Sequence, residues 1–467
     1  MTIQLRRIIF YLFVIIFLVV APSILLVISG YSLDWRAQTV VRSGMILLQI
    51  SPEDATIHIN GTRDESSSRS RGVIRISSLE TGAYTITLEK EGYLSWSQNL
   101  TVVAGGVTAP PPISLIRSTQ SFVILPFNSH ILSTSANGYW SLVSIESTGK
   151  QKSLALLDQT RGAFRSLPAT PTGLNISTGT IESHWSPDSS SILIMTKGGK
   201  TRVGNVYQLD TQQYTPTMKL PEIVRWSADS LSLFLIESFG VQQISIDTGV
   251  PKIVATTSGI VDIYSLPNNL LALQQVNKRL QLIRLTTGGS VNASLTNAIG
   301  LLPPETRFLH STFPLPLLKT STLTLVVEMT SQKFSLLAEL PASDTVATTR
   351  DDVITSDHGV LYRLESTNPS VVLSTPLLTN KKITAVFSLP HSPWVAVRAG
   401  NQLFLHSTPR EILPATVMGS WVPEDRMIIL EDGLIISALS ADPQGKRLYI
   451  SGKRDADQGV FVRLLTE

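Results

Sequence analysis

The side chains best suited to metal or acid–base chemistry are the seven histidines, His58, His130, His184, His310, His358, His391 and His406. Each stands alone. No His-x-His or His-x-x-x-His pair occurs, so a zinc site would have to be assembled from segments far apart in sequence, and the histidines read as core or surface residues. The chain has no cysteine, which excludes disulfides, zinc fingers, iron–sulfur ligation and thiol nucleophiles. There is no Gly-x-Ser-x-Gly elbow. Gly199-Lys200-Thr201 copies the tail of a phosphate-binding loop, but the first glycine of that motif would fall at Ile194, inside an apolar run, and no helix follows. It reads as a hairpin turn. Asp188, Asp229 and Asp442 are candidates for catalytic acids or calcium ligands. Each precedes an apolar run, where an Asp side chain caps nearby backbone amides, and Ser189-Ser190-Ser191 offers none of the charged oxygens a calcium loop needs. Asp351-Asp352 and Glu424-Asp425 read as solvated loop charges. Trp185 and Trp226 read as wedges inside the fold rather than ligand platforms. The four Asn-x-Ser/Thr sequons, at Asn60, Asn99, Asn175 and Asn292, read as chance occurrences. None of these residues is assigned a catalytic, cofactor or metal role, no cofactor is expected, and the binding residues stay unidentified.

The elements that carry these residues repeat. Trp185-Ser186-Pro187-Asp188 before Ile192-Leu193-Ile194-Met195 returns, 41 residues on, as Trp226-Ser227-Ala228-Asp229 before Leu231 to Ile236. That period is one β-propeller blade. Each copy continues through a turn, Gly198-Gly199 or Phe239-Gly240, to a second apolar strand ending at Asp210-Thr211 or Asp247-Thr248-Gly249. Weaker copies occur at Tyr264-Ser265-Leu266-Pro267, Phe387-Ser388-Leu389-Pro390 and Ser440-Ala441-Asp442. Further blades are expected around Ile131 to Lys150, Leu317 to Leu340, Val353 to Glu365 and Ile412 to Ile436. Residues 121–467 have room for about seven blades, with six to eight as the range, at roughly 40–50 residues each. The inner strands read as continuous apolar runs, as expected where neighbours cover both faces. Pairing of Phe122 to Leu125 with Val460 to Leu465 would close the ring and leave no open edge. This half resembles the WD40-like, TolB-type propellers, whose blades carry a phrase like Trp-Ser-Pro-Asp. Such propellers bind proteins, glycans or peptides, and some belong to hydrolases.

The chain is 43% hydrophobic and 16% charged, against the roughly 25% charged of an average soluble protein. An apolar anchor in a β-rich protein explains the deficit. Ile8 to Ser29 is an uncharged stretch of 22 residues, enough at about 1.5 Å per residue to cross a bilayer core of about 30 Å. It is longer than a signal-peptide core and lacks a small-x-small cleavage site. Arg6-Arg7 abuts it on one side, against the more distant Arg36 and Arg42 on the other, which places the N-terminus in the cytoplasm and the rest outside. Tyr31 and Trp35 are interfacial anchors. Lysines and arginines are otherwise scattered, so a net charge of +3 marks no nucleic-acid surface.

Between these parts, from Gly44 to about Arg117, lie short alternating strands. In Tyr84 to Glu89, Tyr84, Ile86 and Leu88 share one face. Asn60-Gly61, Thr81-Gly82 and Glu91-Gly92 mark turns. The reading is a small β-sandwich, with Thr62 to Gly72 as a mobile loop tip. Ser51-Pro52-Glu53-Asp54-Ala55-Thr56-Ile57-His58-Ile59-Asn60-Gly61, Leu79 to Ile86, Lys90-Glu91-Gly92-Tyr93-Leu94-Ser95-Trp96 and Val103 to Gly106 resemble the PEGA domain in its order, with Asp54 where the family has Gly. The resemblance implies a bacterial or archaeal envelope protein, an extracytoplasmic position and interaction rather than catalysis.

The expected chain is therefore all-β, with a transmembrane anchor in 1–37, a PEGA-like sandwich in 38–117 and a propeller in 118–467. The expected function is that of a membrane-anchored scaffold meeting the lipid bilayer through Ile8 to Ser29 and an envelope protein or glycan through the propeller, with no nucleic acid. A propeller hydrolase or lyase acting on an envelope polymer is the alternative.

Overall fold

The structure, a computed structural model, describes residues 10–18, 20–21, 31–34, 39–110, 112–125, 128–146, 152–171, 173–176, 179–198, 201–267, 269–285, 299–309, 311, 313–329, 334–342, 345–348, 352–367, 372–376, 383–389, 394–399, 402–407, 427–431, 434–454 and 457–466. Strands dominate. The chain divides into two compact units, one of Met1–Thr119, Glu411–Glu424 and Leu465–Glu467, the other of Gln120–Arg410 and Asp425–Leu464.

In the first unit residues 10–18 and 20–21 are helical. Among the described residues no helix is long and apolar enough to cross a membrane, and Ile8, Ile9, Val19 and 22–29 of the expected anchor lie outside them. Two sheets follow. One joins Tyr31–Asp34, Thr39–Ser51, Val73–Glu80 and Ser68–Ser70 in that order, with Val107–Thr108 and Ile113–Ser114 running parallel to the long strand. The other joins Thr62–Arg63, Thr56–Ile59, Gly82–Glu89 and Trp96–Val102. Their apolar faces meet in one core of Ile46, Leu48, Ile50, Ile57, Ile74, Ile76, Ile86, Leu88, Trp96, Leu100 and Val102. Alternation produces this directly: along Trp96–Val102 every second residue is buried. The loop expected over Thr62 to Gly72 instead contributes two short strands, because Ser68 and Ser70 find partners in Arg75 and Val73.

The described residues of the second unit form eight antiparallel sheets, against an expectation of about seven. In order along the chain they are built on Asn128–Thr134 to Ala163–Ser166, Thr180–Trp185 to Met218–Leu220, Ile223–Trp226 to Pro251–Ala255, Ile260–Leu266 to Arg279–Leu285, Arg307–Leu309 to Phe334–Pro341, Thr345–Thr348 to Val372–Pro376, Ile383–Ser388 to Met427–Glu431, and Ile435–Ala441 to Asp457–Leu464. The last takes its fourth strand from Phe122–Leu125, paired antiparallel to Asp457–Leu464 with Phe122 opposite Val462. This is the closure read from the sequence. Of the stretch Ile412 to Ile436, expected as a blade, 412–426 lie outside the described residues. Met427–Glu431 ends the seventh sheet and Ile435 opens the eighth.

Packing between sheets follows their order along the chain. Leu142 and Leu156 meet Ile192 and Tyr207; Leu193 and Met195 meet Trp226 and Leu233; Phe234 and Ile236 meet Ile263 and Ala272. The series continues from fourth to fifth, fifth to sixth and sixth to seventh sheet. The eighth returns to the first through Tyr449, Val460 and Val462 against Ile131, Val143 and Leu157. Such packing is that of a β-propeller. First strands of adjacent sheets touch, so they are the inner ones. The continuous buried runs fall on the strands after them, such as Ser232–Glu237 and Arg447–Arg454, and not on the innermost strands as expected: Thr180–Trp185 stays half-exposed, since it faces neighbours on fewer sides.

Gly240, at φ +144°, lies where a Cβ would stand 2.0 Å from the carbonyl oxygen of Ala255. Backbone must move to admit it. Gly240→Ala is expected to lower stability by about 1–3 kcal/mol, read as a fall in the denaturant midpoint; an unchanged midpoint would remove this close approach from the account.

Candidate functional site

The turns that carry the tryptophan phrase are built by hydroxyls and one carboxylate each. Ser186 N donates to Ser191 O (2.9 Å) and Ser189 N to Ser186 O (2.9 Å), while Ser186 Oγ accepts from Ser191 N (2.9 Å) and donates to Asp188 Oδ1 (2.6 Å). Asp188 Oδ1 also accepts from the Ser190 amide (3.0 Å) and hydroxyl (2.9 Å). The third sheet repeats the bonds, with Ser227 N to Ser232 O (2.9 Å) and Leu231 N to Asp229 Oδ1 (3.0 Å). Both aspartates lock turns. Asp442 does not share their place: its N donates to Arg447 O (3.1 Å) and its Oδ1 accepts from Arg447 N (2.8 Å), the bonds that Ser186 makes. Ser440-Ala441-Asp442 is therefore out of register with Ser186-Pro187-Asp188 by two residues. The tryptophans are wedges, as read: Trp185 Nε1 donates to Ser133 Oγ of the first sheet (3.1 Å) and Trp226 Nε1 to the His184 carbonyl of the second (2.9 Å).

Environment separates the two carboxylates. Burial pulls Asp188 upward, but the hydroxyls of Ser186, Ser190 and Ser230 and the Ser190 amide hold it below its ordinary value of 3.8. For Asp442, 4% exposed, burial dominates and raises it above 3.8, despite the Arg447 and Lys446 amides and charges.

The charges that the second unit buries bridge strands. Asp262, fully buried on the first strand of the fourth sheet, accepts from Arg225 Nε (3.0 Å) in the third sheet, from the Ile263 amide (3.0 Å), and through Oδ2 from the Phe308 amide (2.9 Å) in the fifth. One carboxylate joins three sheets. Asp352, read from the sequence as a solvated loop charge, is 2% exposed within Asp352–Asp357. Its Oδ2 accepts from Arg363 Nη2 (2.6 Å) and from Ser388 Oγ of the seventh sheet (3.2 Å). A buried arginine partner overrides the loop reading. Asp351, Glu424 and Asp425 lie outside the described residues, as do Gly199 and Lys200, whose flanking strands pair with Gly198 opposite Thr201.

The histidines are dispersed. His58 Nε2 lies 3.6 Å from Glu89 Oε2, His130 Nδ1 3.5 Å from Ser451 Oγ, and the exposed His358 Nδ1 2.8 Å from Asp357 Oδ1. His184 is exposed, His406 is buried, and His310 and His391 lie outside the described residues. Among the described residues no three His, Cys, Asp or Glu are placed to hold a metal ion.

A concave surface lies in the first unit, where Thr56, Glu89, Lys90, Glu91, Tyr93, Leu94 and Ser95 line an open depression of about 540 Å³. Lys90 Nζ donates to Asp54 Oδ1 (2.7 Å) and holds that carboxyl below its ordinary value. Lys90 and Arg117 stand 5.3 and 5.7 Å from the Tyr93 ring centroid, within cation–π range. The depression is lined by carboxylates, hydroxyls and the side chain of Tyr93, a set suited to hydrogen-bonded recognition. In the sequence Thr56 and Lys90 to Ser95 stand out as parts of the PEGA-like phrases, but nothing there marks them as lining one depression.

No protein-family model matches the sequence, and no curated protein does. Solved structures give loose resemblances. The β-propeller domain of Cps50 (Swd1) from Myceliophteria thermophila is 14% identical over 60% of this chain and 95% of that one, with a TM-score of 0.39. TolB from Acinetobacter baumannii is 13% identical over 64% and 78%, with a TM-score of 0.33. An uncharacterized protein of Listeria monocytogenes is 11% identical over 62% and 94%, with a TM-score of 0.41.

Three outcomes are expected. Asp188 has a lowered folded pKa, so its contribution is present above pH 3.8 and lost as pH falls through the folded value; Asp442 has a raised one, so its ionised form opposes folding at neutral pH and protonation relieves this. At pH 7 Asp188→Asn should lower the unfolding free energy by about 1 kcal/mol and with it the denaturant midpoint, and Asp442→Asn should raise both, the differences shrinking on acidification. Equal signs for the pair would contradict these assignments. Asp262→Ala, which strands Arg225 and the Phe308 amide, should cost about 3–5 kcal/mol, measured by the same denaturation at pH 7.

Proposed function

We propose that the protein is a membrane-anchored, extracytoplasmic binding scaffold of a prokaryotic cell envelope. The observation that carries the anchor is the helix at residues 10–18 and 20–21: Phe10, Phe13, Ile15, Phe17 and Leu18 are each 60–69% exposed, and the same stretch is apolar on every side. A helix hydrophobic all round belongs in an apolar medium. Arg6-Arg7 before it favours a cytoplasmic N-terminus.

The four phrases that resemble the PEGA domain fall on the strands and turns of the first unit: the turn into Thr56–Ile59, the step into Gly82–Glu89, the turn into Trp96–Val102 and the turn before Val107. This supports reading that unit as a PEGA-like sandwich whose depression contacts a partner. In the second unit Asp262 and Asp352 hold sheets together, which suits a stiff platform presenting loops to a protein or glycan. Anchorage confines both surfaces to a layer above the bilayer and raises their effective concentration for partners there.

Vesicle flotation of the full chain beside residues 38–467 tests the anchor. The full chain should float with lipid and the shortened one remain below; flotation of both, or of neither, would refute it. Co-sedimentation of the same proteins with isolated envelope polymer tests the scaffold. Retention without soluble fragments is the expected result, and fragments in the supernatant would favour a hydrolase or lyase.

A further inference from the structure

Four turns of the second unit share one backbone. Starting at Ser135, Ser186, Ser227 and Asp442, the residue three places on returns its N–H to the first residue's carbonyl, at 2.9, 2.9, 3.0 and 3.0 Å. That residue lies in the left-handed region each time: Gly138 (φ +73°), Ser189 (+65°), Ser230 (+63°) and Gly445 (+67°). Glycine adopts this conformation freely and serine does so at a cost. Only the second and third sheets carry serine there.

What sets those two sheets apart is the hydroxyl's partner. Ser189 Oγ accepts the Asn137 N–H of the first sheet (3.1 Å), and Ser230 Oγ accepts the Asp188 N–H of the second (3.1 Å). Both donors are the second residue after their turn's start, and both serines are buried. The Ser230 hydroxyl also helps to lower the Asp188 pKa. A third bond extends the series in altered form, from the Ala228 N–H to Ser265 Oγ of the fourth sheet (3.0 Å). There the second residue after Ser265 is Pro267, which has no N–H. At Gly138 the same position faces the eighth sheet, with Ala441 O 3.7 Å from where a Cβ would be. Gln159 bridges that gap: its side-chain amide meets Ser141 of the first sheet and Ser440 of the eighth, and its backbone carbonyl accepts from Tyr449 Oη (2.5 Å).

We propose that Ser189 and Ser230 are inter-sheet latches that tie the turns of the first three sheets into a belt and make those sheets open as one cooperative unit. The donor lies in the earlier sheet and the hydroxyl in the later one, so displacing the third sheet's turn frees the Asp188 N–H and loosens the second. A strained serine persists at these two positions because the neighbouring sheet supplies its hydrogen bond.

Hydrogen exchange of the full-length chain, read at single amides, tests this with Ser230→Ala, which loses the hydroxyl and keeps the strain, and Ser230→Gly, which loses both. The Asp188 amide should exchange about tenfold faster in either variant, matching a lost bond of about 1.4 kcal/mol. Ser191–Gly198 and Ser232–Glu237 should exchange together in the parent and at separate rates in either variant. Ser230→Gly should retain the higher denaturant midpoint of the two. Unchanged protection at Asp188 would overturn the latch. Faster exchange at Asp188 with the two strands still exchanging together, or an even acceleration over all eight sheets, would overturn the cooperative unit.

Discussion

Each sheet of the second unit is apolar on both faces, and no such sheet can bury both without a neighbour on either side. That constraint organises the unit. The strands after the innermost ones, such as Ser232–Glu237 and Arg447–Arg454, are buried along nearly their whole length, so every added sheet creates a new apolar face until the eighth meets the first. At about 25 cal/mol per Å² of apolar surface, an unclosed face is a large penalty. Pairing Phe122–Leu125 with Asp457–Leu464 satisfies the backbone of the last sheet at the same junction.

Apolar packing fixes that sheets pack, but not their register along the chain. Polar groups supply that. Asp262 accepts from three successive sheets, Asp352 and Arg363 reach Ser388, and Gln159 spans the junction of first and eighth. Buried ion pairs give little net stability against apolar substitutes, while removing one partner is costly. Their role here is to make one alignment better than its neighbours. The sandwich of the first unit needs no such devices, since alternation along its strands already determines which side chains enter the core.

The repeat was legible because tryptophan, a turn and an apolar run recur at a fixed spacing, and both Trp185 and Trp226 occupy the wedge positions that pattern suggests. The closing strand pair was legible too, as was the face shared by Tyr84, Ile86 and Leu88. At Asp442 the letter pattern and the backbone part company. Matching its letter to Asp188 shifted the turn by two residues, because serine and aspartate can play the same hydrogen-bonding part and only backbone geometry tells which does. Asp352 and Asp262 were illegible for another reason: Asp352 sits in an acidic pair that reads as a loop, Asp262 carries no local signal, and the arginine that permits the burial of each sits 11 or 37 residues away. The depression at Glu89 to Ser95 depends on how a turn stands against the end of a sheet, which no local pattern records.

The strand pair that completes the eighth sheet joins the earliest residues of the unit to its last. Phe122 finds its partner only when Val462, 340 residues downstream, has been made. At synthesis rates of about 5–20 residues per second, that delay is on the order of tens of seconds. Throughout it, Phe122–Leu125 has no sheet to join and the first sheet's outward face, with Ile131 and Val143, has no cover. Nascent chains are thus exposed to misassembly at this seam until translation is nearly over.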